Sequence, residues 1–131
     1  MVASLRAGAE LPAIRVRTVN SASESKGSIH DDEKAREMGY AGGFVPGPTV
    51  LGYMLRLLRE SFGEDWLRGG EFEGRLRRPT YAGIAVTVEG SVVEEPSAEN
   101  AERITVELRV RDPEGAVTAS GKASCRVGVS T

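Results

Sequence analysis

The chain has 131 residues, of which 40% are hydrophobic and 27% charged, with a formal net charge of −2. That length suffices to bury one sizeable core, so residues 1–131 are expected to form a single domain, and the ordinary composition excludes collagen-like repeats and wholesale disorder. Lys and Arg are interspersed with Asp and Glu along the chain, which leaves no electropositive stripe for nucleic-acid phosphates, so no nucleic-acid partner is expected.

Residues 1–10 lack the apolar core of a signal peptide, and no stretch is long and apolar enough to cross a bilayer. A cytoplasmic protein with no membrane partner is the expectation. Residues 11–19 place Ile14, Val16 and Thr18 in alternation with Arg15, Arg17 and Val19, the pattern of a strand with one partly buried face. Residues 20–28 are rich in Ser and carry Gly27 without periodicity, so a loop is expected there. Asp31 or Asp32 then offers an N-cap for a short helix through Met38, which Gly39 ends in a left-handed conformation.

The Gly and Pro density of residues 42–48 forbids a regular element. A longer helix starts after it, with Pro48 suited to its first turn. Thr49, Val50, Leu51, Gly52, Tyr53, Met54 and Leu55 precede its first charge at Arg56, which predicts a helix whose first turns are buried on every side and wrapped by other elements, while its C-terminal part, with Arg56, Arg59 and Glu60, reaches solvent. Residues 72–81 read as a strand broken by Pro79, and Ile84, Val86, Val88 and Val92 alternate with more polar neighbours. The clearest alternation sets Ile104, Val106, Leu108 and Val110 against charged neighbours. A turn at Asp112-Pro113-Glu114-Gly115 follows, and then the alternation of Val117, Ala119, Gly121, Ala123, Cys125 and Val127, together a long hairpin. Trp66 is expected to anchor packing at the end of the central helix or at a subunit contact.

With one Cys and one His in the chain, no internal disulfide can form and no metal site or cofactor is expected. Cys125 reads as a small buried apolar residue. One strand, two helices and then three or four antiparallel strands make an α+β protein in which a curved sheet wraps the central helix.

The run Ser28-Ile29-His30-Asp31-Asp32-Glu33-Lys34-Ala35, with Gly39-Tyr40 and then Gly43-Phe44-Val45-Pro46-Gly47, resembles the hydratase motif of the MaoC-like hydratase/dehydratase family. That motif is a G-D-x-N-P-[IL]-H segment, an acidic residue, an Ala on a short helix, a G-[FY] pair and a Gly opening the central helix. Arg78-Pro79-Thr80-Tyr81-Ala82-Gly83 resembles the family's later P-V-x-x-G-D segment. The resemblance implies a hot-dog fold and a tunnel for an acyl-CoA or acyl-carrier thioester, with water added to or removed from a trans-2-enoyl group as in R-specific enoyl-CoA hydratases. It further implies that His30 handles a proton and that Gly47 N–H, with Val45 and Pro46 beside it, binds the thioester oxygen. Hydration of a conjugated thioester places negative charge on that oxygen, which an N–H at a helix N-terminus stabilises. A homodimer, or a heteromer with a catalytic MaoC-like subunit, is also implied, and pairing would cover exposed sheet edges.

The chain departs from the family at the carboxylate. Counting back from His30, the family's Asp falls on Ser25 and its Gly on Glu24. Ser25 can hold a water but cannot usefully accept a proton. Glu24 is the nearest available acid if the loop shifts by one residue, and otherwise reads as a solvated loop carboxylate. Three readings follow: an enoyl-thioester hydratase/dehydratase, a catalytically silent subunit or acyl-binding module, and a hot-dog enzyme acting on a small molecule other than a thioester. The Arg-rich residues 75–78 and 103–111 could form an anion patch for a carrier phosphate, but alternation along half-exposed strands accounts for them as well and is preferred.

Overall fold

The computed structural model describes residues 4–128. Five strands, β1 (Ile14–Arg17), β2 (Glu71–Leu76), β3 (Ala85–Glu94), β4 (Arg103–Arg111) and β5 (Val117–Arg126), form one antiparallel sheet in the order β1-β3-β4-β5-β2. Helix α1 (Asp32–Glu37) precedes the central helix α2 (Gly47–Phe62), and a short helix α3 (Glu64–Gly69) follows it. α2 packs against β2, β3, β4 and β5. This is the hot-dog layout, α+β, with the sheet curved around the central helix. Among the described residues no helix is long and apolar enough to cross a membrane.

Period-two alternation builds the core. Val86, Val88 and Val92 of β3, Ile104, Val106, Leu108 and Val110 of β4, and Ala119, Ala123 and Cys125 of β5 are buried together with Val50, Met54, Leu57 and Leu58 of α2. In register they pair as Val88↔Val110, Val110↔Ala119, Val106↔Ala123 and Ile104↔Cys125, so large side chains of β4 stand opposite small ones of β5. The small row lets α2 approach the sheet. At Gly121 a Cβ would stand 2.8 Å from Phe72 Cε1 and 3.3 Å from Met54 Sδ, so a side chain there would push the helix or Phe72 aside. The β4–β5 turn closes as its sequence demands: Asp112 Oδ1 accepts from the N–H groups of Glu114 (3.0 Å) and Ala116 (2.9 Å), and Gly115 takes φ 86°.

Three expectations are corrected. α2 is not buried all round: Val50, Met54, Leu57 and Leu58 face the sheet, whereas Leu55 is 37% exposed. A single sheet covers one side of a helix only, and apolar composition does not report how many sides are covered. The strand expected over 72–81 stops at Leu76, before Pro79 removes a ladder donor, and the stretch 64–69 forms a helix the sequence reading passed over. Asp31 occupies the N-cap position of α1 but makes no cap hydrogen bond there. Its carboxylate instead accepts from Gly27 N–H at 3.4 Å, and Asp32 accepts from Gly43 N–H at 2.7 Å. Gly39 ends the short helix at φ 94° as expected, and Trp66 packs against the core from α3.

Cys125 is 1% exposed, and its thiol is pushed up to about 11, chiefly by burial and secondarily by the Asp65 charge. The thiolate is the reactive form, so Cys125 should resist iodoacetamide at pH 8 in the native protein and react stoichiometrically in denaturant. Mass spectrometry of both samples checks this.

On the outer face of the sheet Glu89 Oε1 accepts from Arg109 Nε at 3.0 Å and from Arg111 Nε at 2.6 Å. The Arg111 hydrogen bond leads in holding the Glu89 carboxyl below the ordinary glutamate range; burial opposes it, and the Arg109 charge adds to it. A carboxyl with a depressed folded pKa contributes stability that is present above the unfolded pKa and is lost as pH falls through the folded one. Glu89→Gln should therefore cost about 1 kcal/mol at pH 7, with the difference from wild type shrinking as the pH drops below the ordinary glutamate value. Urea denaturation at neutral and acid pH measures it.

Candidate active site

The segment 20–31 is a series of turns whose side chains fix the backbone of His30. Asn20 Nδ2 donates to His30 O at 2.8 Å while Asn20 Oδ1 accepts from Ala22 N–H at 3.1 Å. Ser28 Oγ accepts from His30 N–H at 3.2 Å and donates to Ser25 O at 2.7 Å. Both backbone groups of His30 are thus held from within the loop. Across from it, Phe44 N–H donates to Ile29 O at 2.9 Å and Val45 N–H to Thr80 O at 2.7 Å. Three segments remote in sequence, 29–30, 44–45 and 80–81, are laced together beside the N-terminus of α2. Thr18, buried, reinforces the third by donating from Oγ1 to Tyr81 O at 2.6 Å.

Close approach demands glycine at one point of this lacing. A Cβ on Gly43 would collide with the carbonyl group of His30 and stand 3.0 Å from Asn20 Nδ2. Gly43 N–H is at the same time anchored on the Asp32 carboxylate.

The imidazole is oriented by one bond, His30 Nδ1 to Phe44 O at 2.8 Å. A carbonyl oxygen only accepts, so Nδ1 carries the proton, and the neutral ring keeps its basic lone pair on Nε2. Among the described residues Nε2 has no protein partner. The ring lines a cavity of about 330 Å³ whose wall also includes Ile29, Phe44, Val45, Gly47, Leu76 and Thr80. Edge-to-face packing of Tyr40 on Phe44 (centroids 4.7 Å) and of Phe44 on Tyr81 (6.0 Å) supports that wall.

Gly47 opens α2 behind the N-cap residue Pro46. Pro48 has no N–H, and the N–H groups of Thr49 and Val50 both turn back to Pro46 O, at 3.0 and 3.2 Å. Gly47 N–H has no acceptor among the described residues. It is an unsatisfied donor at the positive end of a 16-residue helix, on the wall of the same cavity as His30. Leu76, 55% exposed, lies over Gly47, with Cδ1 2.5 Å from where a Cβ would stand.

The structure brings together some of the residues singled out from the sequence and not others. His30, Gly47 and Val45 line one cavity, as do Arg78, Pro79 and Thr80 of the second matched segment. Pro46 shapes the helix start without lining the cavity. Glu24 and Ser25 are exposed in the turn of residues 21–28, and neither lines the cavity. No Asp or Glu is among its lining residues. Of the residues that hold His30 in place, Asn20 was not singled out, and Ser28 and Gly43 stood in the motif runs without a role assigned to them. Asn20 followed by Ser and Ala carries an Asx-turn signal, but nothing local tells that its amide reaches residue 30.

No protein-family model matches the chain, and no curated protein does. Solved structures similar to it include the ChsH1-ChsH2 complex from Mycobacterium tuberculosis, at 22% identity and TM-score 0.74 over 95% of this chain and 99% of that one. The (R)-hydratase from A. caviae involved in PHA biosynthesis is 20% identical, with TM-score 0.74 over 96% of this chain and 99% of the other. A MaoC-like dehydratase from Rhodospirillum rubrum is 22% identical, with TM-score 0.72 over 96% of each chain. The likeness in fold is thus to MaoC-like dehydratases and R-hydratases, as the motif resemblance implied.

Proposed function

We propose that the protein is a hydratase/dehydratase of enoyl thioesters. The observation that carries this reading is a single cavity walled by both an imidazole with its basic nitrogen uncommitted and a helix-opening N–H with no acceptor. With the thioester carbonyl oxygen on Gly47 N–H and the enoyl carbons beside His30, Nε2 takes a proton from water as the water oxygen bonds to C3. The electron pair of the double bond moves toward the carbonyl, and the negative charge on its oxygen is shared with Gly47 N–H. The imidazolium then protonates C2, giving a 3-hydroxyacyl thioester; dehydration is the reverse. His30 performs both transfers because the cavity wall has no carboxylate to take one of them. The similar (R)-hydratase and MaoC-like dehydratase folds support the choice of chemistry.

The absence of a carboxylate from the lining favours a second reading, a silent subunit or acyl-binding module that completes a catalytic partner's tunnel. One of the similar structures is itself a two-protein complex. Under the first reading the chain works in the cytoplasm as a homodimer, with a second copy covering a free sheet edge and the exposed Leu55. Purified protein mixed with short, medium and long trans-2-enoyl-CoA, with loss of the conjugated enoyl absorbance followed, separates the readings. Hydration by the isolated chain supports an enzyme. Saturable binding without hydration supports the silent subunit.

A further inference from the structure

The two arginine-rich tracts of the sequence behave differently in the fold. Arg103 pairs with Glu71, and Arg109 and Arg111 pair with Glu89, so compensated alternation accounts for residues 103–111. Arg75 and Arg77 have no carboxylate at ion-pair distance among the described residues. Register sets Arg75 opposite Ser120, Ser120 opposite Arg109 and Arg109 opposite Glu89, so the row's one acid stands at the far end from Arg75, whereas Glu73, Lys122 and Glu107 share the neighbouring row. Arg77 Nε donates to Ser120 Oγ at 2.7 Å, and a hydroxyl that accepts in this way keeps its own proton to donate. Arg75, Arg77 and Arg109 thus border one hollow together with Ser120, and of the three only Arg109 is neutralised by acids.

These residues line a hollow of about 430 Å³ on the outer face of the sheet. Arg77, just past the end of β2, lines both this hollow and the His30 cavity. Uncompensated like charges side by side on a sheet are unfavourable. An anion between them removes that cost, and guanidinium forks match phosphate oxygens.

We propose that the Arg75–Arg77–Ser120 hollow binds the phosphate groups of a carrier whose thioester end enters the His30 cavity. This rests on the thioester reading proposed above. The acids Glu73 and Glu107 at the far side of the hollow confine the anion to the Arg75–Ser120 row, and the arm then runs past Arg77 to the cavity.

Calorimetric titration of the full chain with coenzyme A and with pantetheine, which lacks the phosphates, tests the assignment. Coenzyme A should bind at least about tenfold more tightly at low ionic strength, with the advantage falling as salt is raised. In the Arg75→Gln/Ser120→Ala double variant the advantage should fall below about threefold, whereas Arg75→Lys, which keeps the charge, should retain most of it. Equal affinity for the two ligands in wild type, or a tenfold advantage that survives in the double variant, overturns the proposal. Inorganic pyrophosphate binding as tightly as coenzyme A would also overturn it, by showing a site for a free anion. Binding alone is read, so failure to hydrate enoyl thioesters would count against the functional reading without touching this result.

Discussion

His30→Gln should lower kcat/KM for hydration of a trans-2-enoyl thioester by about 10²–10⁴-fold, the usual worth of a positioned general base, while changing the melting temperature little. The glutamine amide can still donate to Phe44 O, so the bond that holds the imidazole at 2.8 Å has a substitute. What it lacks is a basic nitrogen. Loss of a partly buried side chain with one hydrogen bond costs about 1 kcal/mol of stability. Because the group acts on the transition state, the loss should fall on kcat with KM nearly unchanged. Steady-state kinetics and thermal unfolding of the same preparation distinguish this from a variant that merely folds badly, in which both would fall together. Turnover that survives the substitution would remove His30 from the chemistry.

Gly43→Ala is expected to damage both stability and activity. The added Cβ meets backbone atoms of His30, which cannot rotate away as a side-chain tip could, so the 42–45 segment or the His30 turn must move. Overpacking of this sort costs about 1–3 kcal/mol. Displacement of the imidazole from Gly47 by even 1 Å should reduce turnover by about 10²-fold. Gly52, in the middle of α2, is the control: nothing lies within 4 Å of a Cβ placed there, so Gly52→Ala should stabilise the helix by about 0.5–1 kcal/mol. Denaturant titration of both variants reads the opposite signs. Equal stabilisation by the two substitutions would show that segment 42–45 does not press on His30.

The legible parts of the fold were those written in local periodicity. β4 and β5 follow from alternation over residues 103–111 and 117–126 and from a turn whose Asp and Gly have no other use. The extent of α2 burial was not legible, because the apolar residues around the helix do not reveal that the sheet covers only the Val50, Met54 and Leu57 side. α3 escaped because six residues between glycines carry too little pattern to identify a helix. In the site, His30 and Gly47 were reached through the spacing of a motif, and they do face one cavity. Glu24 and Ser25 were reached by the same counting, and the structure leaves both in an exposed turn. Asn20 and Gly43 act on His30 from ten or more residues away, so their residue types alone carry no mark of the role, whereas Ser28 acts two residues on, through a Ser-turn contact that is local.

The central claim, that one carbonyl can be held between the His30 ring and the first N–H of α2, is open to direct observation because the chain contains a single histidine. Nitrogen-15 NMR of the free protein, at a pH where the ring is neutral, should show Nδ1 protonated and Nε2 bare. Titration with a saturated acyl thioester that cannot react should then shift both the Nε2 resonance and the Gly47 amide. A ring protonated on Nε2, or a Gly47 amide that does not respond while the thioester binds, would contradict the account.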